Sequence, residues 1–301
     1  MGASKSFKGG LIRLASGLAV ATAALMGSTG GAAADGIIQW SDTFAGVRYG
    51  TSYREPGSSE DIEKGIFQLG HVSGWTYGTN FFNLDILKAT SESEEPNKDG
   101  DGSAQEIYFV ARETLSSAKI FGFAYSGIIR DIGLTLGTDL SYKNDAFNAR
   151  VRKFVVGPTI NFNVPGFAQI GVQAYFEHNN NRFAKLAGPP FDPSVDFDPT
   201  WRVDGAWGIP FEIGLPFMFK GFFALTGEKG DDAFGDATTT ELLVETALLA
   251  DIGPSVGSDK GMLYVGLGYQ YWLNKFGNDP DVTGLDGTEA SVPQLVAEFH
   301  F

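Results

Sequence analysis

Along most of this chain apolar and polar residues alternate one by one. Ile170, Val172, Ala174 and Phe176 stand against Gln173, Tyr175 and Glu177, and Leu263, Val265, Leu267, Tyr269 and Tyr271 stand against Gly266, Gly268, Gln270 and Trp272. A period of two places successive side chains on opposite faces of a pleated strand. The same alternation runs through Val47, Phe82, Ile107, Ile132, Phe154, Trp201, Phe217 and Leu242 and their neighbours. It closes in residues 294–301, where Leu295, Ala297, Phe299 and Phe301 share one face. Gln294, Val296, Glu298 and His300 share the other. With the less regular stretch 62–72, the pattern predicts about twelve strands, an even number as bacterial membrane barrels require.

The connections sharpen that reading. Those near 55–61, 91–103, 143–149, 180–199, 230–237 and 274–290 are mostly long and are charged or rich in Pro and Asn. Three of the others, at 73–74, 164–166 and 214–216, are short and turn-like, while 116–127 and 251–261 are longer exceptions. Long outer loops alternating with short turns predict an all-β chain folded as a transmembrane antiparallel β-barrel with both termini in the periplasm. One face of each strand then meets lipid and the other a lumen. Tyr49, Tyr53, Trp201, Tyr269 and Tyr271 fall on the outward face as expected interface anchors.

Composition agrees. Lys5, Lys8 and Arg13 precede an apolar, Ala-rich run over 14–26 and then Ala32-Ala33-Ala34, with no acidic residue before Asp35. This predicts a secretory signal peptide over 1–34 and an outer-membrane barrel over 35–301. No later segment has the ~18 to 20 uncharged apolar residues that a spanning helix needs. Cysteine is absent, so neither disulfides nor a lipidated cysteine is available. A formal net charge of −14 argues against nucleic-acid binding, which needs positive potential against phosphates. Forty glycines and 13% aromatic residues suit a barrel. The terminal Phe299-His300-Phe301 matches the aromatic-x-aromatic signal of a closing strand. The expected partners are outer-membrane lipid and lipopolysaccharide, the barrel-assembly machinery and a small-molecule solute, with no cofactor.

Several stretches resemble the Tsx-like family of nucleoside-specific, channel-forming outer-membrane proteins, as a diverged branch. They are Trp40-Ser-Asp-Thr43, Tyr49-Gly-Thr51 with Arg54-Glu-Pro56, Gly78-Thr-Asn-Phe-Phe-Asn83, and Val156-Gly-Pro-Thr159 with Val164-Pro-Gly-Phe167. Ala206-Trp-Gly-Ile-Pro210 and Tyr269-Gln-Tyr-Trp272 with Asn274-Lys-Phe-Gly-Asn278 complete the set. The resemblance implies a monomeric twelve-stranded barrel, not an enzyme, that passes nucleosides down a gradient through a narrow pore.

Such a pore needs aromatic faces for the base and hydrogen-bonding groups for the ribose. By the alternation, Phe81, Tyr108, Tyr175, Phe222, Tyr264 and Trp272 point inward, together with Asn83, Asp85 and Glu245. These nine are the candidate solute-binding residues. Arg112, Glu177, Asp204, Lys220, Glu241, Gln270 and Glu298 share that face. The same aromatics would also serve to fill a small barrel, and the charges to pair across it.

Three further signals are weaker. Asn97-Lys-Asp99-Gly-Asp101-Gly102 resembles the start of a calcium loop, but its twelfth position is Tyr108 and not the bidentate Glu required. His71-Val-Ser73 has the spacing of barrel lipid hydrolases, yet Ser73 is expected in a periplasmic turn, far from the outer leaflet. His178 beside Asn179–181 reads as a polar loop edge, and no metal or catalytic residue is assigned. The alternative to a channel is a barrel without transport, as lipid hydrolase or as structural or adhesive surface protein.

Overall fold

The computed structural model describes residues 37–301; the leader expected over 1–34 lies outside the described residues. From Ile38 onward the chain is strand after strand. These are β1 (Ile38–Tyr53), β2 (Ile62–Trp75), β3 (Gly78–Ala89), β4 (Gln105–Ser116), β5 (Ile129–Lys143), β6 (Arg150–Phe162) and β7 (Phe167–Asn180). There follow β8 (Ser194–Asp196), β9 (Thr200–Ile213), β10 (Leu215–Thr226), β11 (Glu241–Asp251), β12 (Leu263–Leu273) and β13 (Ala290–His300).

Each long strand pairs antiparallel with its sequence neighbours, β7 with β9, and β13 returns to β1. Since β6 also pairs with β7, no edge remains and the sheet closes. The three-residue β8 only extends the upper end of β7, which leaves a barrel of twelve strands. All twelve are the strands expected from the alternation.

Facing pairs share a side of the sheet, so one register carries the inward set around the ring. Arg48 opposes Ile66 and Val296, Asp85 opposes Tyr108, Lys153 opposes Asp139 and Glu177, and Glu245 opposes Phe222 and Gln270. The other set is apolar and exposed: Val47, Phe67, Ile86, Ile107, Leu134, Val172, Phe219, Leu248, Leu267 and Leu295 all lie on it. Such a band belongs to a membrane-spanning β-barrel, where the exterior needs no water.

Aromatic rings edge the band at both ends. Tyr49, Tyr142, Trp201 and Tyr269 lie at the long-loop end, and Phe167, stacked Phe211 and Phe217, and Phe299 at the other. One anchor expectation is wrong. A register shift between Gly50 and Tyr53 inserts an extra residue, so Tyr53 turns inward, 3% exposed, with its hydroxyl accepting from Gln294 Nε2 at 3.0 Å. A β-bulge flips every side chain beyond it, and strict counting cannot see one.

The two ends differ as expected. At one end β9 and β10 join through Gly214 alone, whose φ of +71° only glycine adopts cheaply, and β2 and β3 join through residues 76–77. Ser73 therefore lies inside β2 and not in the turn expected there. The segments 116–127 and 251–261 gain their length from a helical turn each, Ser117–Phe121 and Gly253–Val256.

At the long-loop end four connections are drawn together. Glu55 Oε1 receives three ammonium groups, from Lys64 at 2.7 Å, Lys143 at 3.0 Å and Lys275 at 3.1 Å. Glu95 takes Lys64 at 2.9 Å and Lys143 at 2.5 Å, and Lys143 also meets Asp145 at 3.2 Å. Beneath this knot lies the inward apolar cluster of Tyr53, Ile62, Ile66, Ala89, Ala290 and Val292, with Leu87 and Trp272 against it. A second cluster, Ala184, Val195 and Ala233 with Phe191, Phe197 and Phe234, packs the loops over β7 and β9.

Candidate functional site

The inward face carries two polar walls. On the first, Arg48 of β1 donates to Asp85 of β3 and to Glu245 of β11. The network continues outward from both acids. Gln68 Nε2 donates to Asn83 Oδ1 at 2.8 Å, Asn83 Nδ2 to Asp85 Oδ1 at 2.9 Å, and Gln270 Nε2 to Glu245 Oε2 at 2.9 Å. One cation thus stands among two carboxylates, a local excess of negative charge.

The facing wall reverses the sign. Arg112 Nη1 lies 2.5 Å from Asp139 Oδ1, and Arg202 Nη1 3.7 Å from the other oxygen, with Asp204 3.9 Å from Arg202 Nε. Lys153 stands beside them with no carboxylate within ion-pair distance among the described residues; its ammonium donates only to Tyr108 Oη, at 3.4 Å. Arg202 Nε is buried and makes no hydrogen bond. Three cations against two acids leave this wall positive. In the strand order Lys153 and Arg202 come from β6 and β9, each five strands from β1, while Arg112 comes from β4, three strands from β1, and reaches toward Asp139 on the neighbouring β5. Glycine makes part of this possible. A Cβ on Gly137 would sit 2.4 Å from Arg112 Cδ, so the guanidinium reaches Asp139 only because position 137 has no side chain.

A third group lies toward the short-turn end. Lys220 Nζ donates to Glu298 at 2.8 Å and sits 4.4 Å from the Phe44 ring centroid. His300 pairs with Asp42 at 2.9 Å, stacks on Phe44 at 5.1 Å and meets the edge of Tyr264 at 5.1 Å.

All nine sequence candidates face inward, but they do not form one site. Asp85 and Glu245, expected to accept from ribose hydroxyls, already accept from Arg48, although each keeps lone pairs for a further donor. Asn83 belongs to the same network. Three of the six aromatic rings carry a cation of the protein itself. Lys153 lies 5.7 Å from the Tyr108 centroid, Arg202 5.8 Å from that of Tyr175, and Lys275 4.5 Å from that of Trp272. Tyr175 is buried and donates to Glu177, which Lys229 holds at 2.7 Å; Trp272 donates to Glu241 at 2.7 Å. These rings are parts of the wall and not open stacking faces. Phe81 and Phe222 differ, being 38% and 37% exposed on the inward side, and they are the free aromatic surfaces of the set.

Sequence reasoning missed Arg48, Asp139, Lys153 and Arg202 as a functional group, and Lys64, Lys143 and Lys275 as a knot. The inward parity marks Arg48 and Lys153, but only the ring closure brings β1 to β11 or β5 to β9. His71 gives its Nδ1 to a 2.7 Å hydrogen bond with Thr43 Oγ1, and its ring stacks on Phe82 at 5.1 Å on the outer face, so it is not paired with Ser73. In the calcium-like loop Asn97 Oδ1 accepts from the backbone N–H groups of Asp99, Gly100 and Asp101 at 2.9 to 3.3 Å, and Asn97 Nδ2 donates to Asp101. The loop is closed by its own hydrogen bonds.

No protein-family model matches the chain, and no curated protein is similar to it. Among solved structures it is similar to the KdgM porin, with 6% identity, TM-score 0.42, and 86% of this chain and 99% of that one covered. It is also similar to the translocator domain of the autotransporter NalP from Neisseria meningitidis, with 12% identity, TM-score 0.43, and 96% and 95% covered. The outer-membrane protein opdK from Pseudomonas aeruginosa is similar at 11% identity and TM-score 0.24, with 88% and 100% covered. All three are outer-membrane β-barrels, and the likeness is one of architecture.

Proposed function

We propose that this protein is a non-enzymatic outer-membrane channel for the passive diffusion of small polar solutes, with nucleosides as its preferred class. The observation that carries the reading is the split lumen, with Arg48 among Asp85 and Glu245 on one wall and Arg112, Lys153 and Arg202 around Asp139 on the other. Opposite charge excess on facing walls makes a transverse field, which orients a solute that has a dipole and many hydrogen-bonding groups. A nucleoside is such a solute. Its hydroxyls find acceptors in Asp85 and Glu245 and donors in Lys153 and Arg202, while its base finds the open rings of Phe81 and Phe222. Base stacking is worth ~1–3 kcal/mol, enough to select and weak enough to release. The resemblance of the short motifs to Tsx-like channels supports the nucleoside class.

The test is single-channel conductance in planar bilayers with adenosine, uridine and sugars added as blockers. Nucleoside block at millimolar concentration, absent with sugars of equal size, is the expected result; a current indifferent to nucleosides sinks the solute class. The alternative, a structural surface barrel, draws on the tied loops at the Glu55 knot, and a reconstituted protein with no conductance at all favours it.

A further inference from the structure

The outer rim holds a second polar site that the lumen reading does not use. A cavity of about 580 Å³ opens there, lined by Arg150, Arg182 and Lys185 with Asn148, Asn180 and Leu186. Arg150 opposes Tyr142 in the register, and Arg152 opposes Leu140 and His178, so both arginines belong to the lipid-facing side at the long-loop end. The Arg150 guanidinium lies 5.6 Å from the Tyr142 ring centroid, and Tyr142 Oη donates to Asn148 Oδ1 at 3.1 Å. The cavity therefore sits at the level of the aromatic girdle, where the apolar band gives way to water.

Its charge is unusual for this molecule. The chain is acidic, with 36 acidic against 22 basic residues, and the lysines of the nearby knot are all paired. Yet among the described residues none of Arg150, Arg152, Arg182 and Lys185 has a carboxylate within ion-pair distance, whereas neighbouring His178 takes Asp196 at 2.8 Å. Beside the cations stands Leu186, 67% exposed on the short helix Arg182–Ala187, whereas Phe183 of the same helix turns its ring to Phe147 and Phe234, 6.0 and 6.3 Å away. Unpaired cations and the exposed Leu186 at the edge of the apolar band fit an amphiphile with a phosphorylated head and acyl chains. Guanidinium groups bind phosphate through parallel, charge-assisted hydrogen bonds.

We propose that this cavity binds the phosphate of a phosphorylated glycolipid in the leaflet on the long-loop side, with Arg150, Arg182 and Lys185 as its ligands and Leu186 as its apolar contact. The proposal rests on the membrane-barrel reading and is independent of the solute that the lumen passes.

Native mass spectrometry of the detergent-purified full-length protein tests it. Three probes are titrated: a bisphosphorylated lipid A, the same lipid stripped of both phosphates, and inorganic phosphate as competitor. The expected result is saturable binding of the bisphosphorylated lipid, at least tenfold weaker for the dephosphorylated form and for R150Q/R182Q/K185Q, and weakened by salt. Millimolar inorganic phosphate should leave most of the lipid bound. Equal affinity for both lipids, or full binding by the triple variant, overturns the proposal. So does full competition by phosphate, which would make the cavity a site for the free anion. Heat-modifiable mobility on gels checks that the triple variant folds, and R150Q alone, which leaves the helix untouched, should show an intermediate loss. Conductance and nucleoside block of the triple variant are expected to equal those of the parent, so failure of the channel reading and failure of this site are separately visible.

Discussion

Arg48 reaches past β13 and β12 to Glu245 on β11, and its other guanidinium nitrogen reaches past β2 to Asp85 on β3. One side chain thereby ties together strands that never pair. It also cancels half of the negative charge that the two carboxylates place on that wall.

Removing it tests both roles. Arg48→Met leaves Asp85 and Glu245 side by side and unpaired, at an expected cost of about 3–5 kcal/mol, the usual penalty for stranding one partner of a buried pair. Adding Asp85→Asn and Glu245→Gln to Arg48→Met should recover most of it. Urea unfolding in lipid vesicles, followed by tryptophan fluorescence, measures the loss. Equal stability of the single and triple variants would show that the network carries no such strain.

Lys153 offers a cleaner probe of conduction, because it has no carboxylate partner to strand. Lys153→Gln is expected to shift the reversal potential in a salt gradient toward cation selectivity, with little change in unfolding midpoint. If the potential does not move, Lys153 lies off the conducting path.

The open and covered aromatics should separate. Phe81→Ala and Phe222→Ala are each expected to weaken nucleoside block about five- to hundredfold, the equivalent of ~1–3 kcal/mol of stacking. Tyr175→Phe and Trp272→Phe remove hydrogen bonds to Glu177 and Glu241 and should act on stability. Dose–response curves of current block, compared with unfolding midpoints, decide whether this division holds.

The two faces of one strand pair give a register test. Leu267→Arg on the lipid side is expected to cost ~2–4 kcal/mol if it reaches the bilayer midplane. Ala247→Arg on the inward side of the neighbouring strand should change conductance instead. Gly266, an obvious inward choice by parity, is unsuitable. A Cβ there would meet the Leu248 carbonyl oxygen at 2.0 Å, so any side chain forces the backbone apart. Folding yields of the two arginine variants, read by heat-modifiability, should differ in that order.

The loop knot should be acid-resistant. Burial alone would raise the Glu55 carboxyl, but Lys143, Lys275 and Lys64 reverse this and hold it well below the ordinary carboxylate range. A depressed folded pKa contributes stability that is complete above the unfolded value of about 4.3 and is lost as pH falls below it. Protease cleavage within 54–61 is therefore expected to stay slow from neutral pH down to about that value and to rise below it, whereas Glu55→Gln should be cleaved faster even at neutral pH. The same rate in both proteins at pH 7 would show that Glu55 does not hold the loops.

The alternation of side chains alone determined the strands, their number, the barrel class and, wherever no bulge intervenes, which face a residue takes. A period of two is a local property of an extended backbone, so it is written residue by residue, and Phe81, Asp85, Glu245 and the lipid-facing Leu267 could all be assigned from it. It failed at Tyr53, where a bulge adds one residue to one strand, and only the pairing with β2 reveals the slip. Partners were beyond its reach altogether. Arg48 meets Glu245 across 197 positions of sequence, and Glu55 gathers lysines from three other segments, because ring closure brings β13 to β1 and stacks the loops over one opening. Whether a ring stays bare like Phe222 or is covered like Trp272 depends on such neighbours. Parity fixes a direction; the closed sheet decides what stands there.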